Sequence, residues 1–103
     1  MVKAYSVFDV KAANYAAPFF TFNDQTAIRI LTDAVADPST VICQHPEDYS
    51  LYWVGTFDED TGIFAPVEHP HVVCTAASVV RIAAPVRKLV DEALKGKSVE
   101  VVS

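Results

Sequence analysis

The chain has 103 residues, of which 51% are apolar and 20% charged, and its formal net charge is −5. That length suits one domain with one modest hydrophobic core, and that composition excludes a disordered chain. The acidic balance repels polyphosphate, which argues against sequence-independent nucleic-acid binding by the domain as a whole.

Residues 3–10 (KAYSVFDV) are rich in β-branched and aromatic side chains and read as a strand. Tyr5 and Val7 fall on one face, and Ala4, Phe8 and Val10 on the other, as in a central strand covered on both sides. Residues 11–22 read as a loop with Asn14 and Pro18, ending in Phe19, Phe20 and Phe22, whose expected place is the core, with a partner surface as the alternative. The stretch FNDQTAIRILTDAVADP is the strongest helix signal in the chain. Asn23 or Thr21 caps its start, Asp24 complements the positive end of the dipole, and Pro38 stops it. Ala27, Ile28, Leu31, Ala34 and Val35 form its apolar stripe, while Gln25, Arg29, Thr32 and Asp33 point away.

Residues 41–49 (VICQHPEDY) read as an extended arm and a turn, since Pro46 pushes His45 out of the helical region. In residues 50–57 (SLYWVGTF), alternation puts Leu51, Trp53, Gly55 and Phe57 on one face and Tyr52, Val54 and Thr56 on the other. A turn follows, and residues 63–67 return as the partner strand, with residues 69–74 (HPHVVC) extending or following it. Thr75 caps a short helix through residues 76–81. Pro85 opens a last helix, PVRKLVDEALKG, with Val86, Leu89, Val90, Ala93 and Leu94 as its stripe and Gly96 as its end. The expected fold is α+β: a small, mainly antiparallel sheet of three to four strands under one main helix, plus the C-terminal helix. Residues 1–82 form one domain and residues 83–103 an amphipathic helix and tail.

Charge divides along the same line. Residues 1–80 hold three basic residues (Lys3, Lys11, Arg29) against ten acidic ones. The remainder holds Arg81, Arg87, Lys88, Lys95 and Lys97 against Asp91, Glu92 and Glu100, so only the tail is electrostatically suited to phosphate. The N-terminus MVKAYSVFDV lacks a secretory leader pattern, and no run of about 18 apolar residues exists to span a membrane. The expectation is a soluble intracellular protein with no membrane partner. Cys43 and Cys74 could pair, but with no secretion signal they are expected as free thiols that serve as small buried hydrophobes in their apolar surroundings.

Asp60-Thr61-Gly62 spells the signature of dimeric aspartic proteases, but its context is wrong. Asp58, Glu59 and Asp60 form a solvated cluster, whereas a shared-proton dyad needs a buried carboxylate at the end of an apolar strand. The reading preferred is a hairpin loop in which Gly62 supplies a positive φ. A calcium loop fails too, because no glycine follows Asp58 at the required position and His69 stands where a closing glutamate belongs. Cys43 and His45, His69 and His71, and Cys74 form Cys/His pairs of a type that suits zinc. Their spacings match no common zinc module, and His45 and His69 precede prolines as turn histidines do, so no metal and no other cofactor is expected. No nucleophile–base motif, phosphate-binding glycine loop or dinucleotide fingerprint is present in the sequence, and the expectation is a non-enzyme.

Four segments together carry a resemblance: YSVFD, the PFF leading to AIRILTDAV, the run HPEDYSLYWVGTFDEDTG, and TAAS. They resemble the small nonstructural protein of gokushovirus-type microviruses, phages with circular single-stranded DNA genomes. The resemblance covers about residues 4–82, and its most specific part holds His45, Pro46, Asp48, Gly55, Asp58 and Gly62. It implies a role in single-stranded genome synthesis or packaging in the host cytoplasm and absence from the mature virion. It carries over no catalytic residue. Two mechanisms follow. In one, the protein is a homo-oligomeric adaptor between phage replication or capsid-assembly proteins. In the other, it binds single-stranded DNA, with Arg29, Arg81, Arg87, Lys88, Lys95 and Lys97 on phosphates and Tyr49 and Tyr52 on bases.

Overall fold

The computed structural model describes residues 1–80. Their strands are β1 (Val2–Asp9), β2 (Asn14–Tyr15), β3 (Phe19–Thr21), β4 (Tyr49–Asp58) and β5 (Ile63–Thr75). Between β3 and β4 come helix α1 (Asp24–Ala36), the single turn α2 (Val41–Gln44) and a 3₁₀ turn at Pro46–Asp48. All pairings are antiparallel: β4 lies between β1 and β5, and β2 and β3 share the other edge of β1. The fold is α+β. The expected helix over PVRKLVDEALKG, and with it the boundary at residue 83, lies outside the described residues.

Helix α1 forms where its stripe and cap require. The Asn23 side chain accepts from the Thr26 amide at 2.9 Å, and Asp37 ends the helix just before Pro38. Ala27, Leu31 and Val35 are buried against Tyr5 and Leu51 of the sheet and against Ala76 and Val79 of the helical residues 76–80, whose start is capped by Thr75 Oγ1. Ile28, Phe19, Tyr49 and Trp53 pack around this core. Burying side chains such as Leu31 and Leu51 contributes about 1.5–3 kcal/mol each.

Two segments differ from the sequence expectation. Residues 11–22 are not one loop but hold the short strands β2 and β3 between turns. Asp9 accepts from the amides of Lys11 and Ala12 at 2.9 and 3.3 Å, and Ala13 takes a left-handed φ of 56°, which turns the chain into β2. β3 then pairs Phe19 with Tyr5 and Phe20 with Ala4. Residues 41–49 are not an extended arm. Thr40 accepts from the Cys43 amide at 3.1 Å and caps α2, and Pro46 starts the 3₁₀ turn, a first-turn position that needs no N–H.

A third difference concerns sidedness. Ala4 pairs with Gly55 but Tyr5 pairs with Trp53, which leaves Val54 with no partner on β1. This bulge reverses the alternation along β4. Leu51 and Trp53 therefore face the helix, while Gly55 and Phe57 face away from it. They do not share one face. A larger irregularity on β5 lies opposite: Trp53 pairs with His71 and Gly55 with Pro66, so residues 67–70 bow out of the ladder. The β4–β5 turn is the expected hairpin, with Gly62 at φ 74° and its amide on the Asp58 carbonyl at 2.8 Å.

A candidate docking surface on the sheet

The reversal at Val54 sorts the side chains into two unlike faces. Lys3, Tyr5, Val7, Leu51 and Trp53 face the helices. Ala4, Ser6 and Phe8 of β1 face outward with Tyr15, Phe20, Tyr52, Gly55, Phe57 and Phe64. On this outer face the rings gather in two clusters. In the first, Phe8, Tyr15 and Tyr52 lie 4.7–6.1 Å apart, Tyr52 edge-on to both others. In the second, Phe20 stands edge-on to Phe57 at 5.9 Å and to Phe64 at 6.4 Å. Such pairs are worth about 0.5–1.5 kcal/mol beyond the area they bury.

Small residues let the rings lie close to the sheet. A Cβ added to Gly55 would meet Phe64 Cζ at 2.5 Å, so the Phe64 ring sits directly over the Gly55 backbone. Ala4 and Ser6 are buried beneath this layer, and Ser6 Oγ donates to the Ala16 carbonyl at 2.6 Å. The rings themselves are only half covered: Tyr15 is 44%, Phe20 49% and Phe64 42% exposed, and neighbouring Val72 60%. None of the outward positions paired in the ladder carries a formal charge. The face is an apolar layer on an otherwise acidic body.

The inner face holds the polar constellation. Asp24, in the first turn of α1, accepts from Lys3 Nζ at 2.8 Å and from the Tyr5 hydroxyl. These two hydrogen bonds, that of Lys3 first, hold the Asp24 carboxyl below the usual carboxylate range. Burial, reinforced by Asp24, drives the Tyr5 phenol well above its ordinary value. The Lys3 ammonium also lies 5.1 Å from the Trp53 ring centroid, and Trp53 in turn lies 5.4 Å from His71 and donates to the Gly55 carbonyl at 2.7 Å. The Lys3, Tyr5 and Trp53 contacts tie β1, β4 and α1 together.

A different cluster carries ligand atoms. His45, Glu47 and Asp48 bring one atom each within 4.8 Å of one another. They sit on the 3₁₀ turn beside Asp9, Lys11, Val41 and Tyr49, with His45 and Glu47 exposed. Among the described residues Cys43, His69, His71 and Cys74 belong to no such group. Both cysteines are free thiols, and burial raises the Cys74 thiol.

The chain matches the family model described as phage ORF5 protein over residues 2–79. It belongs to the phage ORF5 family. A curated relative, Protein ORF5 of Chlamydia phage 1, is 35% identical over 68 residues, which is 62% of this chain and 71% of the relative. No solved structure matches. The match spans the whole described fold and both ring clusters, and it agrees with the resemblance to gokushovirus-type phage proteins. Among the described residues no helix is long and apolar enough to cross a membrane.

Within this family fold, the residues singled out from sequence are scattered. Tyr52 lies on the outer face, Tyr49 packs at the edge of the core on the inner face, and Arg29 is exposed on α1. Arg81, Arg87, Lys88, Lys95 and Lys97 lie outside the described residues. His45, Pro46 and Asp48 shape the turn into β4, Gly55 seats Phe64, and Asp58 and Gly62 close the hairpin. Phe20 and Phe22 are exposed, as the alternative of a partner surface allowed, but Phe8, Tyr15, Phe57 and Phe64 were not recognised as part of one. A lone glycine inside an aromatic strand is the signal that points to it, since such a glycine marks a bulge or a close approach.

Proposed function

We propose that this phage protein is a non-enzymatic, oligomeric protein–protein adaptor working in single-stranded genome synthesis or packaging. It acts in the host cytoplasm and is not carried in the mature virion. One observation supports this above the others: the outer sheet face presents two aromatic clusters and no charge, on a body with three basic and ten acidic residues over positions 1–80. Contiguous apolar surface rimmed by polar residues is what protein interfaces use. A strand of DNA needs cations along its phosphates, and this face supplies none. The partners are the phage's replication or capsid-assembly proteins.

A second reading has its own support. Half-exposed rings on an antiparallel sheet are also suited to stacking bases, with Arg81, Arg87, Lys88, Lys95 and Lys97 as phosphate contacts. Fluorescence anisotropy of labelled oligo-dT with the full chain, at low and at physiological salt, separates the two. The adaptor predicts no binding at either. Binding that weakens steeply with salt overturns it.

A further inference from the structure

We infer that the occupant of the outer sheet face is a second copy of this chain, seated face to face. The inference rests on reading that face as a docking surface and names what docks there.

Electrostatics favour self-pairing. Two copies of a body with ten acidic and three basic residues over positions 1–80 repel when their charged surfaces meet. The outer face is a surface along which two such bodies meet without placing carboxylate against carboxylate. It also demands no complementary charge from its occupant, so the same face on another copy satisfies it, as a two-fold interface requires.

Area favours it as well. Four strands lie side by side across the face (β2 or β3, then β1, β4 and β5). At about 4.8 Å per strand and about 3.3 Å per residue, with β1 as the length, the face projects to roughly 500 Å². Two copies then bury roughly 1,000 Å² or more in total, the level a specific interface needs. Packed this way, the two sheets form an aligned sandwich about 10 Å apart, a spacing that side chains from both faces fill. The half-exposed Phe20, Phe64 and Tyr15 supply that filling, and aromatic side chains are the usual anchors of such contacts.

Light scattering across a concentration series of the full chain tests the inference, alongside Phe64→Glu and Val72→Lys. Val72 is 60% exposed, so its replacement leaves the monomer's core untouched. Wild type is expected at twice the 11.2 kDa chain mass, and each variant is expected to dissociate at concentrations about 100-fold or more higher than wild type. A wild type that stays at monomer mass at every concentration overturns the inference, as does a dimer whose mass neither variant changes. Binding of the same variants to the phage's purified capsid and replication proteins tests the docking face itself. A monomer whose binding to those proteins is lost with Val72→Lys keeps the docking face and discards self-pairing. If neither mass nor binding responds to either variant, both fall.

Discussion

Replacing Tyr5 with Phe removes one hydroxyl from a buried ring and keeps its volume. The ring stays stacked on Phe19 at 5.9 Å and packed against Leu31 and Leu51, so no cavity opens. What is lost is a hydrogen bond to a charged acceptor, ordinarily worth about 1.5–3 kcal/mol. Asp24 keeps Lys3 at 2.8 Å and is half exposed, so water replaces the missing donor and the cost falls to about 1–2 kcal/mol. Asp24→Ala should cost more than Tyr5→Phe. It strands the Tyr5 hydroxyl in the core and removes the acidic group from the first turn of α1. Urea unfolding at pH 7 measures both. The pH profile adds a second check. The folded Asp24 carboxyl is depressed, so its contribution is present above the unfolded value of about 3.9 and lost as pH falls through the folded one. The folded Tyr5 phenol is raised, so its contribution is intact below about 10 and lost as pH climbs above that. Tyr5→Phe should flatten the alkaline limb and weaken the acid one. A neutral or stabilising Tyr5→Phe, or an Asp24→Ala milder than it, would mean that the Tyr5–Asp24 hydrogen bond does not stabilise the fold.

Gly55→Ala sets a methyl 2.5 Å from Phe64 Cζ and 3.0 Å from the Ala65 carbonyl oxygen, so the ring must swing outward. The expected result is a loss of about 1–2 kcal/mol in urea with shifted Phe64 ring signals, and an unshifted, equally stable protein contradicts the placement. Asn23→Ala removes the cap of α1 and should lower stability by about 1 kcal/mol in the same assay. Gly62→Ala forces a side chain into φ 74° with open space around it, so the penalty is backbone strain alone, about 1 kcal/mol by thermal unfolding.

The parts of the fold that were readable from the chain are those in which local chemistry and tertiary packing agree. Asn23, the Ala27–Leu31–Val35 stripe and Pro38 each marked α1, and the packed helix uses all of them. Gly62 read as a hairpin glycine and is one. The β2 turn stayed hidden because Ala13, which carries the left-handed φ, is not a residue that advertises one. The one-turn helix α2 is too short for any periodicity to show. Sidedness in β4 failed for a non-local reason. The Val54 bulge exists only once β4 pairs with β1, and it moves Gly55 and Phe57 from the core side to the outside. The second ring cluster, in which Phe57 and Phe64 meet Phe20, depends on that single unpaired residue. Phe19 and Phe20, adjacent in sequence, divide between core and surface for the simpler reason that successive strand residues alternate.

The measurement that bears most directly on self-pairing through the outer face is NMR of the aromatic rings across a dilution series. Phe8, Tyr15, Phe20, Tyr52, Phe57 and Phe64 should shift with protein concentration, while the core rings Tyr5 and Phe19 stay fixed. Ring signals of the outer face that remain constant from dilute to concentrated solution, or shifts confined to the inner face, contradict self-pairing through that face.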